Sequence, residues 1–350
     1  MRAPRKNSQS PLVSVIIPAY NAEQFIAQAI QSVLNQTFRS FEIIVIDDGS
    51  TDKTKEFLQK FHSQIRCVCQ KNQGPSLARN AGIKVAQGEY ICFLDADDFW
   101  TPEKLEMQIS FMKGKQDIAL VFSDHEEFSD KGIVLRSFLE EKKIALGSDF
   151  TMQIPLQDAF QKLLIVNFIS TPTVMVKKEC FETTGLFDES LWSVEDRDLW
   201  LRLAAHFNFA CFPRIFCKRR VHEFNVSKKS ELALIGRIRV LEMNRRRFPS
   251  LATGKVWNNR LADSYYQLGY IWLGKGQRKK AWQAGLKSLG HAFRQIPKNK
   301  ALSSYPWGLG IGLIPAALIG WRSSRYIFQL MKRLCTGKET GCRAAFDRNA

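Results

Sequence analysis

Carboxylates are grouped at two places in the first hundred residues, each directly after an apolar run. Asp48 follows one run, and Asp95, Asp97 and Asp98 follow another. Carboxylate oxygens are hard ligands that suit Mg²⁺ and Mn²⁺. A cation held there can neutralise negative charge that develops on a leaving group. The alternative is an ordinary acidic loop in solvent, because a lone Asp-x-Asp sequence is not specific.

A second acidic pair, Glu195 and Asp196, stands just before a helical period formed by Leu199, Trp200 and Leu203. A carboxylate in this place can accept a proton from an attacking hydroxyl group. Helix capping is the alternative role, because aspartate is also a preferred residue at a helix N-terminus. Taken alone, the residue types favour the two roles equally.

Alternating strands and helices are predicted to position the first group of carboxylates. The predicted strands are Leu12–Ala19, Phe41–Ile46, Ile65–Cys69 and Tyr90–Leu94, and the helices between them are Ala22–Asn35, Thr51–Phe61 and Ser76–Ala86. This alternation predicts a doubly wound α/β domain, in which ligands bind beyond the carboxyl ends of the strands. GxGxxG does not follow the first strand, and GxxxxGK[ST] does not occur. The sequence therefore carries neither the dinucleotide-binding fingerprint nor the phosphate-loop motif.

The later part of the chain is less regular up to residue 222 and helical beyond it. We predict strands at Ile118–Phe122 and Pro172–Val176, a loop-rich segment at Ser123–Phe150, a helix at Asp198–Ala205, and helical periods at Leu232–Phe248 and Asn258–Phe293. Residues at about 258–297 are predicted to form a TPR-like hairpin. The prediction rests on five residues whose spacing resembles that of one tetratricopeptide repeat (TPR): Tyr265, Leu268, Gly269, Trp272 and Ala281.

The formal net charge of +17 is distributed unevenly over the 350 residues. Residues 1–215 contain 24 basic and 28 acidic residues, a net of −4, whereas residues 216–350 contain 27 basic and 6 acidic, a net of +21. A uniformly basic nucleic-acid binder is therefore a poor description. No recognition motif for nucleic acid is present, and the acidic carboxylate groups oppose such a partner, so we expect none.

The segment 307–321, WGLGIGLIPAALIGW, carries no charged side chain. Its 15 residues fall short of the ~20 that span a bilayer. The tryptophans at both ends, with Arg322 and Arg325 after them, are typical of a segment that lies in the membrane interface. A buried hairpin is the alternative, and the sequence favours the two equally.

The N-terminal region and the cysteines predict a cytoplasmic protein. The basic residues near the N-terminus precede a run too short for a secretory core, and we expect residues 1–11 to be flexible. The eight cysteines include no CxxC pair, which favours reduced thiols over a zinc site.

Five segments, in order and with the right spacing, resemble family 2 glycosyltransferases over residues 12–227. They are VSVIIPAYN (13–21), EIIVIDDGSTD (42–52), NQGPSLARNAGI (72–83), GEYICFLDADD (88–98) and VEDRDLWLRLA (194–204). The resemblance implies the α/β fold called GT-A, a Rossmann-like mixed sheet with helices on both faces, and an inverting nucleotide-diphosphosugar transferase that uses Mg²⁺ or Mn²⁺. Arg197 departs from the common pattern, in which an aromatic residue often follows the acidic pair.

The resemblance also implies which residues hold the nucleotide. Asp48 matches the aspartate that accepts a hydrogen bond from the ring N–H of the base. Pro18 and Tyr20 are expected to shape the base pocket, and Arg79 to approach the nucleotide. Asp47, next to it, is expected to cap the turn. For Arg79 the alternative is a surface ion pair on its helix.

The remaining roles concern the cation and the transfer itself. By resemblance Asp97 is the direct metal ligand, and Asp95 lies near the ribose or the metal. His222 matches a late motif, and its imidazole would complete the metal shell or contact the diphosphate. The alternative is an ordinary surface histidine. Asp196 is the expected catalytic base, with Glu195 in contact with the acceptor or the sugar.

Together these observations predict a hexosyltransferase-like enzyme. It would move a sugar from a nucleotide-diphosphate sugar to a hydroxyl of a saccharide or lipid-linked acceptor in cell-surface polysaccharide or glycoconjugate synthesis. The alternative is a non-catalytic nucleotide-sugar-binding or scaffold protein that acts through its helical region, 228–350. The basic residues of that region predict peripheral association with an anionic inner membrane face.

Overall fold

The computed structural model describes residues 10–147, 151, 154–191, 193–222 and 230–294. The chain divides into two compact units, 1–228 and 229–350. Most of the predicted flexible N-terminus, the hairpin beyond residue 294 and the apolar segment 307–321 lie outside the described residues. None of the helices in the described ranges is long and apolar enough to cross a bilayer.

Nine strands among the described residues form one mixed sheet in the first unit. They are β1 (Val13–Ala19), β2 (Phe41–Asp47), β3 (Arg66–Cys69), β4 (Tyr90–Phe93), β5 (Phe99–Trp100), β6 (Ile118–Ser129), β7 (Gly132–Leu135), β8 (Met175–Lys177) and β9 (Asn208–Arg220). Their order is β3-β2-β1-β4-β8-β6-β9-β5, with β7 paired to β6. β1 is parallel to β2 and β4, whereas β8 runs antiparallel between β4 and β6. The predicted α/β class with a mixed sheet is confirmed.

Eight described helices belong to the first unit and three to the second. The first eight are α1 (Ile26–Leu34), α2 (Thr54–Gln59), α3 (Pro75–Val85), α4 (Lys104–Met112), α5 (Phe138–Leu146), α6 (Ala159–Ile165), α7 (Cys180–Thr184) and α8 (Glu195–Ala204). A short 3-10 helix covers Thr171–Thr173. The second unit contains α9 (Ser230–Arg247), α10 (Gly254–Gly274) and α11 (Arg278–Phe293).

The parallel half of the sheet follows directly from its apolar strands. β1 and β4 bury nearly every side chain, so both faces of the sheet need cover. Helix α3 lies very close to the sheet at Gly82, where a Cβ atom would come within 2.4 Å of Cγ2 of Ile16. A larger residue at 82 would therefore push α3, and the loop before it, away from the carboxyl ends of the strands.

The predicted loop at 123–150 is wrong, because much of it is regular structure. β6 continues to Ser129, and β7 and α5 follow. The strand is stabilised by cross-strand ion pairs that an apolar pattern does not reveal: Glu126 contacts Lys218 and Glu127 contacts Arg219, each at 2.6 Å, in register with β9.

Two further boundaries differ from the prediction. The strand expected at Pro172–Val176 is a 3-10 helix followed by β8, with Pro172 in the 3-10 turn. The helix expected to begin at Asp198 begins at Glu195 instead, so the acidic pair lies inside its first turn.

The second unit packs three helices through polar contacts as well as apolar ones. Tyr265 of α10 donates its hydroxyl hydrogen to Glu242 of α9 at 2.9 Å and stacks on His291 of α11. Leu268 and Ala281, two of the residues with repeat-like spacing, are buried. That these helices form a TPR-like hairpin stays a prediction.

Candidate active site

The carboxyl ends of three adjacent parallel strands bring the residues that are expected to bind the nucleotide to one edge of the sheet. Tyr20 follows β1, Asp48 follows β2 and Asp95 follows β4, and β1 lies between the other two. Pro18 is half-buried near the end of β1, in register with Ile46. The side chain of Tyr20 is 50% exposed, so its ring has an open face on which a base could stack.

Asp48 is buried and fixed by the loop that precedes α3. Its Oδ1 accepts hydrogen bonds from Nε2 of Gln70 at 2.7 Å and from the backbone N–H of Gln73 at 3.0 Å, and its Oδ2 accepts one from the N–H of Gly74 at 2.8 Å. A carboxylate has about four acceptor positions, so these three bonds leave room for another donor. Asp47 accepts the N–H of Ser50 at 3.0 Å, the turn role that the sequence predicted for it.

Arg79 connects the two acidic motifs, although they are a hundred residues apart in sequence. Its two terminal nitrogens donate to Oδ1 of Asp95 and Oε1 of Glu195, each at 2.8 Å, and its side chain is 7% exposed. Burial acts to lower the pKa of Arg79, but the two carboxylates outweigh this and raise it. The surface ion pair considered from the sequence is therefore incorrect: the Arg79 side chain is buried, and its ion pairs link α3 to α8 and to the loop after β4.

The carboxylate of Asp97 lies beside His222. Oδ2 of Asp97 and Nε2 of His222 are 2.9 Å apart, both side chains are partly exposed, and the imidazole stacks on Phe25 with ring centroids 5.4 Å apart. Burial, followed by the charge of Asp95, raises the pKa of Asp97. Burial, followed by the charges of Asp97 and Asp95, raises the pKa of Asp98 well above its usual range. Negative charge is thus concentrated at this point of the crevice.

These residues fit a Mg²⁺ or Mn²⁺ ion that the substrate helps to hold. Within the described ranges, no three His, Cys, Asp or Glu side chains are grouped so that they could bind a metal by themselves. Mg²⁺ is usually held by one or two carboxylates together with substrate phosphates and water, and does not need a full protein cage. The Asp97 carboxylate and the His222 imidazole, which face each other from the segments after β4 and β9, agree with that arrangement.

The side chains of Arg219 and Arg220, which lie close to His222 in sequence, contact other protein groups. Arg219 contacts Glu127, and the Arg220 guanidinium lies over the rings of Phe25 and Phe128, 4.9 and 4.6 Å from their centroids. The backbone N–H of Arg220 donates to Asp98 at 2.8 Å, which ties β9 to the Asp-x-Asp loop.

Asp196 lies in the first turn of α8, and each of its two carboxylate oxygens accepts one hydrogen bond. Its Oδ1 accepts the N–H of Arg197 at 2.6 Å, and its Oδ2 accepts Nδ2 of Asn167 at 3.0 Å. Burial, with the charge of Glu195 added, raises the pKa of Asp196 to about 6. Val194 occupies the cap position without a side-chain hydrogen bond, so neither carboxylate is the N-cap of the helix.

Glu195 has one oxygen in use and one without a partner. Oε1 accepts from Arg79, whereas Oε2 is buried and has no hydrogen-bond partner in the described part of the chain. Buried acceptors are normally satisfied, so this oxygen can accept a hydrogen bond from a water molecule or from a hydroxyl group.

Sequence reasoning missed the contacts that three polar residues make near the acidic motifs. Asn167 binds Asp196, and Asn80 holds the loop after α7 through both its amide atoms, which bond the backbone of Phe187 at 2.9 and 3.0 Å. The Arg197 side chain donates to the carbonyls of Leu163 and Leu164 at the end of α6. Arg197, which replaces the aromatic residue of the common pattern, therefore joins α8 to α6. No sequence pattern predicts that contact.

Structural comparison finds solved proteins with a similar fold. One is the mannosyltransferase PcManGT of Pyrobaculum calidifontis, whose structure contains GDP-Man and Mn²⁺. It superposes with a TM-score of 0.55 at 16% sequence identity, over 93% of this chain and 86% of that one. At this identity the likeness establishes the fold, which confirms the predicted GT-A class.

Sequence comparison identifies the family. The model of glycosyl transferase family 2 matches residues 14–183. TuaG of Bacillus subtilis, named as a glycosyltransferase of teichuronic acid biosynthesis, is 33% identical over 195 residues, which cover 55% of this chain and 72% of that protein. The chain belongs to glycosyl transferase family 2.

A longer relative shows how far this likeness extends. A glycosyltransferase of Rickettsia felis, 38% identical over 195 residues, is matched over 55% of this chain and 30% of its own length. The chain thus corresponds to less than a third of that relative.

Proposed function

We propose that the chain is an inverting, metal-dependent glycosyltransferase, with residues 12–227 as its catalytic domain. It would use a nucleotide-diphosphate sugar and a hydroxyl acceptor, in polysaccharide or glycoconjugate synthesis. The proposal rests mainly on the buried Arg79 side chain. Its two ion pairs, with Asp95 and Glu195, join the Asp-x-Asp loop to the acidic first turn of α8. Donor-side and acceptor-side carboxylates thereby share one crevice.

The proposed transfer is a single displacement at the anomeric carbon. Asp196 accepts the proton of the acceptor hydroxyl as the oxygen bonds to that carbon, and the bond to the diphosphate breaks with its electron pair on the leaving group. Asp97 and His222 would hold a Mg²⁺ or Mn²⁺ ion, which supplies positive charge to the departing diphosphate. Glu195 accepts from a sugar or acceptor hydroxyl, and Arg79 keeps Glu195 and Asp95 in place.

The base site is proposed at the edge formed by Pro18, Tyr20 and Asp48. The ring of Tyr20 offers a stacking face, and Asp48 has an acceptor position for a ring N–H. The structure of PcManGT contains GDP-Man and Mn²⁺, which supports a nucleotide sugar and a divalent cation here as well. The acceptor is proposed to be a saccharide or a lipid-linked saccharide, with the protein peripheral on the cytoplasmic face of an anionic membrane.

A thermal-shift screen of nucleotide sugars tests this function. With Mn²⁺ present, we expect at least one donor to raise the melting temperature, and nucleoside diphosphate to be released when saccharide acceptors are added. EDTA should abolish both effects. Donor binding without any turnover would instead support a non-catalytic nucleotide-sugar-binding or scaffold protein, and no binding by any donor would contradict the proposal.

The pH dependence of turnover follows from the raised pKa of Asp196. The base must be ionised to accept a proton, so kcat measured at saturating Mn²⁺ and donor is expected to rise with pH through about 6 and to level off above it. An unperturbed aspartate would place this rise near pH ~3.9. A kcat that stays constant between pH 5 and pH 7 would contradict the assignment of the base.

A further inference from the structure

The segment that follows α6 carries an asparagine in contact with the proposed base. Nδ2 of Asn167 donates to Oδ2 of Asp196 at 3.0 Å. The two residues are 29 positions apart in sequence, and they meet where the end of α6 faces the first turn of α8. The single displacement proposed above gives Asn167 no role.

The amide of Asn167 is oriented so that its NH₂ group faces the carboxylate. Its Oδ1 accepts the backbone N–H of Ile169 at 3.4 Å, which leaves Nδ2 for Asp196. Exchanging the two ends of the amide would place an oxygen against a carboxylate oxygen and an NH₂ group against an N–H group. The contact also requires an amide, because an ionised aspartate in its place would have no hydrogen to donate.

The backbone that carries Asn167 is held on both sides. The next two residues, Phe168 and Ile169, are fully buried. On the other side, Nε of Arg197 in α8 donates to the carbonyl of Leu163 in α6 at 2.9 Å. The amide therefore meets the carboxylate from a fixed position, which a group that orients a base requires.

The charges around Asp196 give this hydrogen bond a consequence for ionisation. Burial, with the neighbouring Glu195 of α8, disfavours the ionised form and raises the pKa of Asp196 to about 6. The Arg79 guanidinium of α3 favours the ionised form, but its hydrogen bonds go to Asp95 and Glu195. In the described part of the chain, Asn167 is the side chain that donates to Asp196 directly.

We propose that Asn167 is a positioning residue for the catalytic base, which fixes the orientation of the Asp196 carboxylate and stabilises its ionised form until the acceptor hydroxyl transfers its proton. This inference rests on the proposed function, in which Asp196 is the base. It adds a residue that acts through Asp196.

Carbon-13 NMR of the full chain with labelled aspartate measures the effect on Asp196 in the absence of substrate. The signal of Asp196 is the one that disappears in Asp196→Asn. Since a hydrogen bond to the charged form is lost, Asn167→Ala is expected to raise the pKa of Asp196 by about one unit. Asn167→Asp has the same shape as the wild type but brings a second negative charge, so its effect should be larger.

The pH profile of kcat should follow the same order. At saturating donor and Mn²⁺, the midpoint of the rise is expected about one pH unit higher in Asn167→Ala than in the wild type, and higher still in Asn167→Asp. Donor affinity should change by no more than about twofold. A merely structural role would instead lower kcat at every pH and leave the midpoint where it is.

Asn35 supplies the matched controls, because it is exposed and caps the end of α1. Asn35→Ala and Asn35→Asp make the same chemical changes and should leave both the pKa of Asp196 and the midpoint of kcat unchanged. Melting temperatures show whether each variant is folded.

A double-mutant cycle tests whether Asn167 acts through Asp196. At pH 6, near the pKa of Asp196, Asn167→Ala should lower kcat roughly fivefold in the wild type and have no further effect in Asp196→Asn. An equal loss in both backgrounds would overturn the proposal.

The NMR and kinetic results together separate this proposal from the proposed function. If wild-type kcat titrates with Asp196 but neither Asn167 variant moves that pKa, the role of Asn167 fails alone. If the variants move the pKa of Asp196 and the midpoint of kcat does not follow, Asp196 is not the base. The mechanism in the proposed function then fails, and the role of Asn167 fails with it.

Discussion

Replacing Asp196 by Asn is expected to lower kcat by roughly 10²- to 10⁴-fold, the usual contribution of a positioned base. The amide has the shape of the carboxylate and can still accept the N–H of Arg197, so the first turn of α8 should keep its structure. It cannot take the proton of the acceptor. The affinity for the donor should change by no more than about twofold, because the loss falls on the chemical step.

The exposed Asp130 supplies the control, since Asp130→Asn makes the same chemical change far from the acidic motifs in sequence. It should leave kcat and donor affinity unchanged. Initial-rate measurements at saturating donor, with calorimetric titration of the same donor, separate the two parameters. Full turnover by Asp196→Asn would refute its assignment as the base, and a parallel loss of donor affinity would place it in the donor site.

Removing the Asp97 carboxylate is expected to abolish the metal dependence of donor binding. In Asp97→Ala the proposed cation site loses its carboxylate and keeps only the imidazole of His222. A bound cation contributes several kcal/mol to charge stabilisation, so we expect kcat/KM to fall by about 10³-fold. Titrating donor with and without Mn²⁺ checks this directly: the variant should bind weakly and equally in both cases.

Asp130→Ala is the matched control for this change and should retain the full response to Mn²⁺. Melting temperatures recorded without metal show whether the Asp97→Ala protein is folded. A folded variant whose donor binding still strengthens with Mn²⁺ would contradict the role of Asp97 in holding the cation.

Apolar periodicity was a reliable guide in the first hundred residues. There β1, β2 and β4 are largely buried apolar runs that polar turns follow, and they were predicted to within about two residues. The carboxyl ends of parallel neighbours meet at one edge, so the placement of Tyr20, Asp48 and Asp95 could be inferred without knowledge of side-chain contacts.

Periodicity failed where polar residues form the elements. The end of β6 depends on cross-strand ion pairs with β9, and those partners are 92 positions apart in sequence. Helix α5 did have a local signal: Ser137 accepts the N–H of Glu140, and Ser-x-x-Glu is a recognised helix start. The prediction of a loop followed the polar composition of residues 123–150 and did not take this signal into account.

The acidic motifs were identified as candidates from residue type and order, but their connection was not. Arg79 was expected to approach the nucleotide, and the structure places it between Asp95 and Glu195. Asn167 carries no recognisable motif and acts only because α6 ends next to the first turn of α8. Contacts of this kind depend on tertiary packing, which a single sequence does not display.

The anomeric configuration of the product tests the central proposal most directly. Proton NMR of a reaction with a donor that the screen identifies distinguishes the two anomers by the coupling constant of the anomeric proton. A single displacement with Asp196 as the base predicts inversion, so an α-linked donor should give a β-linked product. Retention of configuration, or no transfer from any donor that binds, would contradict the account.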